Sequence, residues 1–571
     1  MTPLIFGQSF GWLHPAPADG PQRASGVVLC GPVGFEKQAV HRAWRLLAER
    51  LAARGFPVLR FDYPATGDAT GDESDPELIA KWVASIVEAR AELIARTGVA
   101  EVVLCGLHLG ALLAAYAGQD WPGRHMVLLA PQGSGRRLVR TLRLIANVAD
   151  GHAKRNTTRD GLETAGLRLS AGGVAALERL DFQSLGSAPA RDILLLDDPA
   201  LPLLASVATP LEAIGALVDR HPFSDLEMLM QDADRSDSPD AAWSVVERWL
   251  VNRIGMLEPD LVVEAAAAPW QALNHVGNDV SERPIMFGAS PGARPVGVYT
   301  TSVTAERGST AVLFCNTGGN PHYGPGRMSV HLARHFATAG VASLRFDLPG
   351  IGDSALPDEH ARPHIYIADR REAFGAAIDA LVERGHARVV VMGVCSGAYH
   401  ALHAAGVDPR VRDIVLVNQL IYDWSSQPLL GFVRGILSRL GGIKPGTTQA
   451  TDSLSALFQA QTSRTRVAWQ RLRRTGFRVA ALPRAIGIMP TATQAQRRVR
   501  ALAAQGVRIM IAVGEADASR TLLEGHFGER GRDLLGLGDT RLQIDNAFDH
   551  SMASEAARER LWPALLEFVN G

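Results

Sequence analysis

Short, near-continuous apolar runs recur along this chain, and the segments between them place apolar residues at three- and four-residue spacing. Gly26-Val27-Val28-Leu29-Cys30 and Val58-Leu59-Arg60-Phe61-Asp62 are the first clear runs, and residues 39–54 between them have helical periodicity. Runs that are apolar on both faces suit strands covered from both sides, and strands alternating with helices imply parallel crossovers. The expected fold class is α/β, with mostly parallel, doubly wound sheets.

The pattern is written twice. Pro3-Leu4-Ile5-Phe6-Gly7 answers to Pro284-Ile285-Met286-Phe287-Gly288, and Gly26-Val27-Val28-Leu29-Cys30 answers to Ala311-Val312-Leu313-Phe314-Cys315. The helix at 39–54 has its counterpart at 328–339. The closest match sets Val58-Leu59-Arg60-Phe61-Asp62-Tyr63-Pro64-Ala65-Thr66-Gly67-Asp68 beside Ala342-Ser343-Leu344-Arg345-Phe346-Asp347-Leu348-Pro349-Gly350-Ile351-Gly352-Asp353. A helix, a β-branched strand (102–105 and 389–392), a glycine-flanked turn and an alanine-rich helix then follow in each copy. The repeat predicts one domain over 1–255 and another over 284–571. Residues 256–283 read as a linker, marked by the alanines at 265–268, Pro269 and Gly277-Asn278-Asp279.

With 58 Lys+Arg against 59 Asp+Glu and a net charge of −1, the chain has no global attraction for nucleic acid. Met1-Thr2-Pro3-Leu4-Ile5-Phe6-Gly7 is not a basic region followed by an apolar signal core, and no apolar run is long enough to span a bilayer. The expected location is the cytoplasm. Cys30, Cys105, Cys315 and Cys395 are the only cysteines, none in a metal-ligand spacing, so no metal or other cofactor is expected. The first three read as small buried hydrophobes. Cys395 stands apart because of its motif.

That motif is Gly393-Val394-Cys395-Ser396-Gly397, and its counterpart is Gly106-Leu107-His108-Leu109-Gly110. Each follows a predicted strand and opens a predicted helix, the context of a nucleophile elbow. Such a turn lifts one side chain above the sheet, and its flanking glycines leave room for neighbouring backbone. The second half supplies the remaining parts in the order nucleophile, acid, base. Cys395 is the expected nucleophile, Asp517 follows the strand at 507–513, and His550 precedes the last helix at 556–569. His550 is the expected general acid/base and Asp517 the carboxylate that orients it. A thiol beside imidazole and at a helix N-terminus gives up its proton more readily than a free one. The Ser396 N–H, with that of Gly319 or Asn320, is expected to form the oxyanion hole. Ser396 is the rival nucleophile, one place off the elbow position, and Glu515 is the rival acid.

The first half differs at both key places. His108 occupies the nucleophile position, and alignment of Asp234-Arg235-Ser236 with Asp549-His550-Ser551 puts Arg235 where the base belongs. Arginine stays charged near neutrality and cannot act as a base. Asp197 or Asp198 marks the old acid position. This site reads as degenerate.

The two copies resemble the α/β-hydrolase superfamily, particularly its serine-aminopeptidase-like (S33-type) branch and the hydrolases associated with exosortase and exopolysaccharide gene clusters. The resemblance rests on Gly318-Gly319-Asn320-Pro321-His322-Tyr323, on Leu344-Arg345-Phe346-Asp347 with Gly350-Ile351-Gly352-Asp353-Ser354, and on the Cys395 elbow. It implies two tandem α/β-hydrolase-like domains and the hydrolysis or transfer of an acyl group from an ester or thioester. Cysteine in place of the commoner serine is a departure. A thioester on Cys395 could pass its acyl group to water or to an alcohol, amine or thiol. A reading from another class is a binding or scaffold protein with a vestigial triad.

The interruption at about 424–505 falls where this fold usually inserts a helical cap. From Ser453 to Val513 it contains no Asp or Glu but many arginines, among them Arg471, Arg473 and Arg474, interleaved with Trp469, Leu472 and Phe477. One reading is a solvated face paired with acids elsewhere. The other is a dock for an anionic partner: an acyl carrier protein, a coenzyme A thioester or an acidic membrane surface.

Overall fold

The computed structural model describes the chain apart from residues 121–122, 150–160, 165, 198–204, 258–273, 278, 289–293, 304–309, 357–364, 366–369 and 423–491. Arg471, Arg473 and Arg474 lie outside the described residues, as does most of the expected cap.

Two large sheets account for the two copies of the pattern. The first has eight strands in the spatial order Thr2–Phe6, Ser9–His14, Val58–Asp62, Ser25–Cys30, Glu101–Leu107, Gly123–Leu129, Ala190–Asp197, Leu217–Pro222. The second has nine: Asn274–Val276, Val280–Met286, Val296–Ser302, Ala342–Phe346, Thr310–Phe314, Arg388–Val394, Val411–Val417, Arg508–Gly514, Thr540–Asp545. In both, the strands at one edge pair antiparallel and all later pairings are parallel. The C-terminal stretch of the expected linker is part of the second sheet. Residues 274–276 and 280–286 form its first two strands, because Val280 and Ile285 bury against it.

The central parallel strands are mostly apolar because helices cover both faces, whereas the parallel edge strands Leu217–Pro222 and Thr540–Asp545 carry polar residues and are not buried. Leu78–Thr97 buries Leu78, Ile79, Trp82, Ile86, Ala89 and Leu93, a stripe at helical spacing, against the first sheet. Each such large side chain contributes about 1.5–3 kcal/mol on burial. Met328–Thr338 and Glu555–Asn570 cover one face of the second sheet, and Arg371–Val382 and Ser396–Val407 the other. Gln494–Ala504 begins with a complete capping box: Thr493 Oγ1 accepts from Gln496 N–H, and the Gln496 side chain accepts from Thr493 N–H. Cys30, Cys105 and Cys315 are buried in the sheets, and burial raises each thiol's pKa. No helix among the described residues is long and apolar enough to cross a membrane.

The repeated Leu-Arg-Phe-Asp strands join the halves by exchanging partners. Arg60 Nη2 lies 2.6 Å from Asp353 Oδ1, and Arg345 Nη1 lies 2.7 Å from Asp68 Oδ1. Each arginine therefore pairs with the aspartate of the other copy's turn, and all four side chains are buried. Around them, His41 Nε2 is 3.0 Å from Asp353 Oδ1 and Glu282 Oε1 is 2.6 Å from Arg345 Nη2.

Candidate active site

Cys395 sits between the strand Arg388–Val394 and the helix Ser396–Val407 with φ 54° and ψ −111°. A residue other than glycine at this positive φ is strained, and the surrounding fold must hold it there. The Cys395 N–H donates to Val417 O at 2.9 Å. A Cβ on Gly393 would lie 2.0 Å from the Gly397 carbonyl carbon, so the turn closes only with glycine there. The result leaves Cys395 partly exposed, unlike the other three cysteines.

The acid and base come from loops past the ends of two later strands. Asp517 caps the helix Ala518–Phe527 by accepting from Ser519 N–H at 2.8 Å, and its other oxygen lies 2.9 Å from His550 Nδ1. Burial alone would raise the Asp517 pKa, but His550 and the Ser519 hydrogen bond outweigh it and hold the carboxyl at about 2. Burial likewise opposes charge on His550, yet Asp517 and the hydrogen-bonded Cys395 side chain lift its pKa well above 6.5. Cys395, His550 and Asp517 thus form one hydrogen-bonded chain. Glu515, the rival acid, is instead paired with Arg520.

Asn418 is the residue that sequence reading missed. It follows the strand Val411–Val417 with φ 46°, and its Nδ2 donates to Asp549 O at 2.8 Å and His550 O at 2.9 Å. Its Oδ1 accepts from Gly514 N–H at 2.8 Å, so one side chain ties the base loop to the strand that leads to the acid. The signal was a polar pair, Asn418-Gln419, just past a buried strand, where the first copy has Ala130 opposite Asn418, also at positive φ. Asp549 carries out a local role, accepting hydrogen bonds from the backbone of Ser551, Ala553 and Ser554 to shape the base loop.

The Asn320 N–H donates to Thr317 O at 3.1 Å, closing a turn. Gly318, not anticipated, donates its N–H to Ser396 Oγ at 2.6 Å, at the head of the elbow helix. Gly319 faces the first half: a Cβ there would lie 2.5 Å from Ala233 O. Ser396 itself is 1% exposed, its hydroxyl turned to Gly318.

The first half repeats the elbow without the chain of groups behind it. His108 has φ 51° and ψ −117°, and its N–H donates to Leu129 O at 3.0 Å. His108 Nδ1 lies 3.1 Å from Glu36 Oε2, but at an angle that makes no hydrogen bond. Arg235 pairs with Asp232 at 3.4 Å. Asp197 ends the strand Ala190–Asp197 with its Oδ2 unpartnered, and burial raises its carboxyl pKa to about 6. Asp198 lies outside the described residues.

Residues 312–558, which include Cys395, Asp517 and His550, match the alpha/beta hydrolase family. No curated protein matches the chain. Among solved structures, Est1E from Butyrivibrio proteoclasticus with bound ferulic acid is 17% identical, over 43% of this chain and 95% of its own, with a TM-score of 0.32. A putative hydrolase from Agrobacterium vitis S4 is 14% identical over 51% and 100%, with a TM-score of 0.30. The esterase Pf2001 from Pyrococcus furiosus is 10% identical over 51% and 92%, with a TM-score of 0.31.

Proposed function

We propose that the protein is an acyl hydrolase of the cytoplasm that cleaves an ester or thioester through a thioester on Cys395. The observation that carries this reading is the hydrogen-bonded chain from Cys395 through His550 to Asp517, at a strained elbow within the α/β-hydrolase match. Cys395 Sγ attacks the acyl carbon, and His550 takes the thiol proton. The oxyanion accepts from the N–H groups of Ser396 and Gly318, once the Ser396 hydroxyl turns away. His550 then gives its proton to the departing alkoxide or thiolate as that bond breaks, leaving the acyl thioester. Water, deprotonated by His550, attacks the thioester; the C–S bond breaks, the carboxylic acid leaves, and the sulfur recovers its proton. Asp517 keeps the imidazole oriented and supports its positive charge throughout.

In this reading the first half is a degenerate copy that performs no covalent chemistry. The arginines of residues 453–513 suit a substrate delivered on an anionic carrier. Intact-mass analysis after incubation with p-nitrophenyl esters and acyl thioesters tests the proposal. It expects one acyl adduct, removed by prior alkylation of Cys395. Alkylation of Cys395 no faster than in unfolded chain, with no adduct from any ester, would favour a binding protein with a vestigial triad.

A further inference from the structure

A fully buried imidazole, His322, links the first half to the loop beside the second-half elbow. His322 Nδ1 lies 2.8 Å from Asp347 Oδ2, and its Nε2 lies 2.7 Å from Oδ2 of Asp68, which belongs to the first half. The His322 N–H donates to Asp347 Oδ1 at 2.7 Å, and Asn316 Nδ2 donates to the same oxygen at 2.9 Å. Asn316 Nδ2 also reaches Asn320 O at 3.1 Å. The loop from Asn316 to His322 is thereby anchored at both ends on Asp347, and its middle carries the Gly318 N–H. Ala233 of the first half packs its carbonyl against Gly319 in the same loop.

A carboxylate on each ring nitrogen is the arrangement for a doubly protonated imidazole. Burial opposes that charge, but Asp68 and Asp347 raise the His322 pKa well above 6.5. His322, Asp347 and Asp353 also bring potential ligand atoms within 4.8 Å of one another. Both nitrogens are already engaged, and Arg60 and His41 take Asp353, so the group is an ion-pair network and does not suit a metal cation. The first-half counterpart of His322 is Lys37, whose ion pair among the described residues is with its own half's Asp62 and whose ammonium lies 5.7 Å from the centre of the Tyr323 ring. The ion-pair bridge from His322 to the other half is therefore one-sided, and it leads to the half that holds Cys395.

We propose that Asp68 is a positioning residue for the second-half active site, acting through His322 to hold the loop 316–322 and its Gly318 N–H against the elbow. The kinetic arm of its test rests on the acyl-hydrolase reading; the structural arm does not. In the full-length chain, His322→Gln keeps hydrogen-bonding capacity but cannot bridge two carboxylates as a cation. It should slow acylation by p-nitrophenyl esters at least about tenfold, because small displacements of positioned groups are costly in rate. Alkylation of Cys395 by iodoacetamide, which needs the sulfur but no oxyanion donor, should stay within about twofold. Asp68→Asn should give the same split, whereas Arg60→Lys, at the reciprocal pair, should leave acylation within about threefold.

Hydrogen exchange reads the bridge without chemistry. Wild-type amides of Gly318 and His322 should exchange only by large-scale opening, and in His322→Gln at least about tenfold faster than those of the Arg388–Val394 strand relative to wild type. Exposed-loop exchange in the wild type would overturn the proposal even if neither variant folds. So would unchanged loop exchange in a folded His322→Gln, or acylation and alkylation falling together. A wild type that forms no acyl adduct would defeat the acyl-hydrolase reading, and exchange would still judge the bridge.

Discussion

Arg60 of the first half holds Asp353 of the second at 2.6 Å, both buried, and His41 of the first half lies 3.0 Å from the same carboxylate oxygen. The repeated motif therefore satisfies itself across the copies, and the paired sheets behave as one electrostatic unit. Removing Asp353 leaves Arg60 as a buried charge without this partner. Asp353→Ala should destabilise the protein by about 3–5 kcal/mol, while Arg60→Met with Asp353→Leu should recover most of that loss. Denaturant titration of the single and double variants checks this, and equal loss in both would mean packing matters more than charge.

Covalent chemistry is expected at Cys395 alone. Cys395→Ala should form no acyl adduct by mass spectrometry, Ser396→Ala should retain it, and His108→Ala should acylate within a few-fold of wild type, about 1 kcal/mol in barrier terms. An adduct surviving in Cys395→Ala would transfer the chemistry to Ser396 or to the first elbow.

Asn418 should matter to turnover more than its distance from the reacting atoms suggests. Asn418→Ala removes hydrogen bonds to Asp549 O, His550 O and Gly514 N–H, and should cost about 1–3 kcal/mol of stability. Turnover at saturating ester should fall at least about tenfold through displacement of His550. The check is kcat beside a thermal melt, and an unchanged kcat in a destabilised protein would leave Asn418 a purely structural role.

Alkaline stability should report on His322. Its folded pKa is raised above 6.5 by Asp68 and Asp347, which Arg345 and Asp353 adjoin, so its contribution is complete below about 6.5 and is lost as pH rises through the folded value. The melting temperature of wild type should therefore fall on the alkaline side more steeply than that of His322→Gln. Parallel slopes would place the alkaline loss elsewhere.

Periodicity and spacing carried the parallel strands and the two glycine-flanked turns from strand to helix at His108 and Cys395. These are local or sequential properties: a strand buried on both faces must be apolar, and a strained turn must be flanked by glycine whatever lies around it. Linker composition was read less well, because the short strands Asn274–Val276 and Val280–Met286 depend on an edge that only the folded sheet provides. The hydrogen-bond partners of the loop N–H groups were equally hidden. Asn320 and Gly318 differ only in the path of one loop, which spends the first donor on Thr317 and turns the second toward Ser396. Asn418 looked like any polar residue after a strand until the fold brought Gly514, Asp549 and His550 around it. The crossed arginines and the Asp68–His322 bridge join residues hundreds of positions apart, so no local pattern could specify them. Packing one half against the other decided those pairs, because a buried charge must take the nearest opposite charge that the tertiary fold supplies.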